Sequence, residues 1–122
     1  MSTSVSAFTN KALALPKGAI ILGANATADN NIFSGTSVSV KVIEVDNSAN
    51  SAASYVKIDI ATTASSSSVW DMVLTAPASQ TTTFTFLAGI TMANISMMVT
   101  SAAAADSTAN PSNAVNVRIL GS

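Results

Sequence analysis

The chain has 122 residues, no cysteine, no histidine, 9% charged residues and a net charge of −1. That length fits one domain with a proper core. The missing residue types exclude disulfides, thiolate or imidazole metal sites and histidine-based nucleophilic catalysis.

The dominant period along the chain is two, which predicts half-buried strands. They fall near 5–14, 19–26, 37–45, 54–62, 69–75, 82–87, 90–100 and 114–120. The first alternates Val5 and Ala7. Residues 1–10 suit either an ordinary first strand or an arm that adds to a neighbouring subunit's sheet edge. In "LPKG", Pro16 fixes φ, Leu15 is pushed into extended geometry, and Gly18 suits the last position of a type I turn. A corner is therefore expected before "AIIL", whose consecutive apolar residues predict burial on both faces. The polar link "TADNNIFSG" follows. In "VSVKVIEV", Val38, Val40 and Val42 share one parity while Ile43 and Val45 take the other, a slip that reads as a β-bulge or as burial on both faces. "YVKIDIA" sets Val56, Ile58 and Ile60 against Tyr55, Lys57 and Asp59. "TFTF" faces Phe84 and Phe86 the same way. In "ITMANISMMV", Ile90 and Met92 are out of phase with Ile95, Met97 and Val99, which reads as a second bulge or as burial on both faces. "SAAAADS" is too short for an independent helix, and "VNVRI" aligns Val115, Val117 and Ile119. The expected fold is all-β: a single β-sandwich of about eight antiparallel strands, jelly-roll-like, spanning 1–122. Its expected core is Ile20, Leu22, Val40, Val56, Ile58, Ile60, Phe84, Phe86, Val117 and Ile119.

The five cations, Lys11, Lys17, Lys41, Lys57 and Arg118, are too dispersed for a nucleic-acid face. With 48% hydrophobic residues the chain is not of the disordered class. Its polar surface must be Ser, Thr and Asn, with little charge repulsion between copies. No secretory signal is visible, and "AIIL" falls far short of a bilayer span. The acid–base candidates are Asp29, Glu44, Asp46, Asp59, Asp71 and Asp106. Asp59 and Asp71 could face each other on neighbouring strands, as a hydrolytic pair would, yet the alternation puts Asp59 on the solvated side. The Asp and Asn oxygens of "TADNN" and "VDNSAN" suit a hard cation, or else Asx turns. The glycines are scattered, so no phosphate loop exists. Asn25-Ala26-Thr27 and Asn94-Ile95-Ser96 match the glycosylation triplet by accident, given no secretory signal. Trp70 reads as a sugar-stacking platform or as partly buried core. Met92, Met97 and Met98 read as filling, inside or at an interface. No catalytic, cofactor-binding or metal-ligating residue is assigned, and no cofactor is expected.

"LPKGAII" followed by "NIFSGTSVSV" resembles a class of small β-sandwich structural proteins of tailed bacteriophages. The resemblance lies in a corner (Leu15, Pro16, Gly18, Ala19) and in a turn into an alternating strand (Phe33, Ser34, Gly35, Thr36, Ser37). It implies a non-enzymatic virion component: a capsid cement or decoration protein that binds the outside of the assembled head and bridges capsid subunits. The alternative it implies is a head or tail fibre, or a glycan- or receptor-binding module. The implied partners are the major capsid protein and other copies of the chain, most simply a trimer on local threefold positions, with neither nucleic acid nor membrane. The implied location is the outer surface of the virion, after assembly in the host cytoplasm. Val5, Phe8, Thr9, Trp70 and Met97 are the expected subunit-interface residues.

Overall fold

The computed structural model describes residues 4–9 and 15–122, and in the first strand it describes the side chains of Val5 and Ala7. Eight strands are present among these residues: β1 (Ser4–Thr9), β2 (Lys17–Ala24), β3 (Val38–Asp46), β4 (Ser54–Asp59), β5 (Met72–Ala76), β6 (Thr81–Met92), β7 (Ser96–Thr100) and β8 (Val115–Gly121). No helix occurs among them. They form a five-stranded sheet in the order β1-β2-β8-β3-β6 and a three-stranded sheet in the order β5-β4-β7. Every pair is antiparallel. One apolar cluster joins the sheets, with Ile21, Ile43, Val45, Val117 and Ile119 from the larger and Val56, Ile58, Met97 and Val99 from the smaller. The molecule is thus a two-layer β-sandwich.

The jelly-roll expectation asks for two sheets of four strands, whereas the described strands divide five and three. Segment 25–32 lies alongside β7 where a fourth strand of the small sheet would stand. It is joined there by Asp29 N to Met97 O (2.8 Å), Met97 N to Asp29 O (3.0 Å), Val99 N to Asn25 O (2.8 Å) and Ile32 N to Ile95 O (2.8 Å). A single bridge, Asp29 to Met97, results. The chain then turns on Asn31, Ser34 and Gly35, all with positive φ, and drops Ile32 and Phe33 into the core. Gly35 takes φ +81°, a conformation that glycine adopts without a Cβ penalty.

Several expectations need correction. Expected strand 5–14 is β1 over its first part, and 10–14 lie outside the described residues. Gly18 is no turn residue: it lies inside β2, paired with Phe8. The second strand is not buried on both faces. Ala19 and Ile21 are sealed in, while Ile20 is half-buried and Leu22 is 42% exposed. The outer face of the large sheet is open, so the other parity of β2 meets solvent. Ile60 lies past the end of β4 and is 38% exposed. Phe84 and Phe86 only fringe the core, because β6 is an edge strand. The slip in β3 is a true irregularity: register shifts between Val40 and Val42 against both β6 and β8. The second slip is no bulge. Chain 90–100 divides at Ala93-Asn94, where it leaves the large sheet as β6 and enters the small one as β7. All five residues of β7 are buried.

Candidate functional site

The residues expected at a subunit interface do not gather in one place. Val5 pairs with Ile21 and so shares its face, yet Val5 is 42% exposed and Ile21 fully buried. The large sheet is two strands wider than the small one, and β1 lies at its margin. Phe8 and Thr9 pair with Gly18 and Lys17 on the same strand, and their side chains lie outside the described residues. Met97 faces the interior with no exposure, so its side chain is core rather than a surface contact. Trp70 precedes β5. It is half-buried, and its indole Nε1 donates to the Ala105 carbonyl at 2.9 Å.

That last contact belongs to a strap, residues 101–109, which crosses the outer face of the small sheet. Lys57, placed by alternation on the solvent side of β4, is completely buried beneath it. Its Nζ donates to Ala104 O at 2.5 Å. The strap's own folds are held by Thr100 Oγ1 to Ala102 O (2.7 Å), Ser107 N to Ala104 O (3.0 Å) and Ser101 N to Ala109 O (2.9 Å). Burial pulls the Lys57 amine below its ordinary pKa of 10.5, and the charge of Asp106 works the other way. Sequence offered no signal for this burial, since the covering segment is remote from β4.

The alternation favours a solvated Asp59 over a pair with Asp71, yet the two carboxylates meet. Asp59, at the end of β4, shares a side-chain hydrogen bond with Asp71, before β5. Asp71 also accepts from Ile60 N at 2.7 Å. Burial pushes the Asp59 carboxyl above its usual 3.8. The bond to Asp71 and that residue's charge add to the rise, and Ser68 opposes it. A depression of about 200 Å³ lies elsewhere, on the outer face of the large sheet. Ile20, Leu22, Glu44, Asp46 and Arg118 line it, and neither Asp59 nor Asp71 does.

The Asp and Asn loops are built as turns and as structural polar cores. Asp46 Oδ1 accepts from Ser48 N (3.0 Å) and Ser48 Oγ (2.5 Å), and these bonds hold its carboxyl below 3.8. Asn25 Oδ1 accepts from Thr27 N (2.9 Å). Asn47 is fully buried. Its Nδ2 donates to the carbonyls of Ala52, Ala76 and Pro77, all at 3.1 Å. Its Oδ1 accepts from Asn50 Nδ2 (2.9 Å) and Ser54 Oγ (2.8 Å). Asn50 then reaches Asn113, joining the β7–β8 link to the same knot. Among the described residues no group of three or more acidic side chains is placed to hold a metal ion. No helix among them is long and apolar enough to cross a membrane.

Large apolar side chains at the surface are the remaining feature. Leu87 is 94% exposed, Val69 90% and Val73 45%. Sequence reading missed Leu87, although Gly89 two residues on was a usable signal. Gly89 takes φ +74°, where the register between β3 and β6 jumps and a Cβ would collide with Ser39 Oγ. No known protein family, curated protein or solved structure matches this chain.

Proposed function

We propose that the protein is a virion structural component, a cement or decoration protein that binds the outside of an assembled tailed-phage head. The observation that carries this reading is the surface. Large apolar side chains stand exposed on a sandwich with only 9% charged residues. Such a surface loses little electrostatic hydration when another protein covers it. The "LPKGA" and "FSGTS" segments add the resemblance to phage sandwich proteins. In this reading each copy bridges neighbouring subunits of the major capsid protein, binds only the assembled shell, and stabilises it by mass action. The margin strand β1 supplies part of the contact. No enzymatic step is assigned: Asp59 and Asp71 do not line the depression on the large sheet. A glycan platform at Trp70 is less well supported, because the indole N–H is already engaged by Ala105.

The test uses purified particles. Quantitative mass spectrometry and a low-resolution image should find the protein in many symmetry-related copies on the head. Heads stripped of it should break at a lower temperature and regain resistance on adding it back. Deleting residues 1–10 should leave a folded domain that decorates poorly. Heads equally heat-resistant with and without the protein would overturn the cement reading in favour of a fibre or receptor-binding module.

A further inference from the structure

Five partly buried hydrophobic residues pack against the core among the described residues: Met72, Leu74, Phe84, Phe86 and Ile90. All five lie on β5 or β6. These two strands are edges, β5 of the small sheet and β6 of the large one. Residues 77–80 are their only link, so both edges lie on the same flank of the sandwich. The core therefore comes to the surface along one open seam, bounded by two rows of unpaired backbone groups.

Natural edge strands are blunted with charges, prolines or bulges. Neither "MVLTA" nor "TTTFTFLAGITM" holds a charge or a proline. The irregularity at 86–89 interrupts β6, which leaves Thr81–Thr85 as a straight, uncharged, strongly β-forming edge. Thr81, Thr83 and Thr85 are exposed on its outer side.

We propose that this seam is a two-fold interface with a second copy of the chain. In it β6 pairs antiparallel with β6 of the other copy about Thr83, extending the large sheet from five strands to ten. Three observations select a copy of the chain as the occupant. Unpaired edges require a strand, and an antiparallel pair of identical strands is self-complementary by symmetry. A charged partner would find no counter-charge in β5 or β6. The charges flanking the edge match under the two-fold. Asp46 stands in the row of Thr81 and accepts from its hydroxyl at 3.3 Å. Lys41 stands beside the row of Thr85, with its Cγ 3.5 Å from where a Gly89 Cβ would be. Both therefore lean onto the edge strand. With Thr83 on the axis, the Asp46 end of one copy meets the Lys41 end of the other. Their strands are three spacings apart, about 14 Å, and their side chains reach across to within about one screening length. Glu44 lies in the axial row, but Arg118 is its cross-strand neighbour on β8 and offsets its charge. Closing the seam would cover Phe84, Phe86, Met72 and Leu74 with their own counterparts. The contact is two-fold, and so departs from the threefold arrangement that the family resemblance implies. It stands whether or not the protein decorates heads.

The test is oligomeric state in solution with the full chain. At about 100 μM, where even a micromolar dimer is assembled, sedimentation should show a dimer. Thr83→Lys and Thr83→Glu each place like charges directly opposite on the axis, and each should weaken association about tenfold or more. An equimolar mixture of the two should re-form the dimer. In the wild-type chain, amides of 81–85 should exchange more slowly as concentration rises, a readout that needs no variant. A wild-type monomer at that concentration overturns the proposal. So does a dimer or trimer indifferent to both variants, or exchange at 81–85 independent of concentration. Protection of 81–85 that arises only on phage particles would assign the seam to another protein and equally overturn the second-copy reading.

Discussion

Asn47→Ala tests the polar knot at one end of the sandwich. Asn47 makes five side-chain contacts, and three are buried outright: to Ala76 O, from Asn50 Nδ2 and from Ser54 Oγ. The contacts to Ala52 O and Pro77 O are only partly buried, and water can replace the amide there. An unpaired buried polar group costs roughly 1–3 kcal/mol. Ser54 can rotate its hydroxyl and Asn50 keeps its bond to Asn113 O, so the lower half of that range applies. Three contacts then sum to about 3–6 kcal/mol, much of the roughly 5–15 kcal/mol that a domain possesses. For a chain of this size that lowers Tm by about 10–25 °C. Urea and thermal unfolding, followed by far-UV circular dichroism and by the fluorescence of the lone Trp70, measure it. Asn47→Asp keeps the shape and the accepting oxygen but turns the donor toward carbonyls into an acceptor, so it should cost at least as much. Ser48→Ala, at an exposed neighbour, should cost little. A loss below about 1 kcal/mol for Asn47→Ala, the range of surface substitutions, would refute the argument that this knot ties the three loops together.

Asp59 has a folded-state pKa above the unfolded 3.8. Its stabilising proton is therefore held below that value and lost as pH climbs through the raised folded value. Asp59→Asn should remove this acid-side gain, and matching pH profiles for variant and wild type would contradict the dyad. Lys57 has a folded value below 10.5. Its buried charge costs stability at neutral pH, and the cost lifts as pH rises from the lowered value toward 10.5. The stability gap between wild type and Lys57→Met should shift in favour of wild type over that window, and a constant gap would show the amine is not desolvated. Gly121→Ala would press a Cβ against the Ser39 carbonyl oxygen and to 2.8 Å from Val38 Cγ1. A loss of about 1–3 kcal/mol by chemical denaturation is expected of such overpacking, and a neutral result would mean that the ends of β3 and β8 part freely.

The strands and the irregularity in β3 were legible because both are local: alternation reports a strand, and a change of parity at Val42 reports an extra residue. The parity change between Met92 and Ile95 looked the same. A bulge and a change of sheet both invert which residues face the core. They differ only in what each half pairs with, and β6 pairs with β3 while β7 pairs with β4. "DNSANSA" has the composition of a solvated turn, yet Asn47 and Asn50 are buried. The loops that cover them arrive from residues 76–80 and 113, outside any local window. Of the candidate surface, alternation on β4 set Asp59 on the solvent side but did not reveal its meeting with Asp71, which depends on how β4 pairs with the segment before β5, and Met97 belonged to a strand covered on both faces.

A deeper cause links the misplaced residues. Alternation is informative when one parity is apolar and the other charged, but at 9% charge this chain seldom marks its outer faces with Lys or Glu. Contrast then fails in both directions. Leu22 and Leu87 look like core and stand at the surface, because the large sheet has an open outer face and a free edge. Lys57 looks like surface and is sealed, because a remote strap covers the small sheet. Each side chain follows the layer that covers its strand, and that layer is set by pairing between distant segments. The same scarcity of charge that blurs the reading leaves the outward faces and the β5–β6 edges without electrostatic protection against other protein surfaces. In a charge-poor sandwich, the positions where local pattern misreads burial are therefore the first places to search for contacts with other chains.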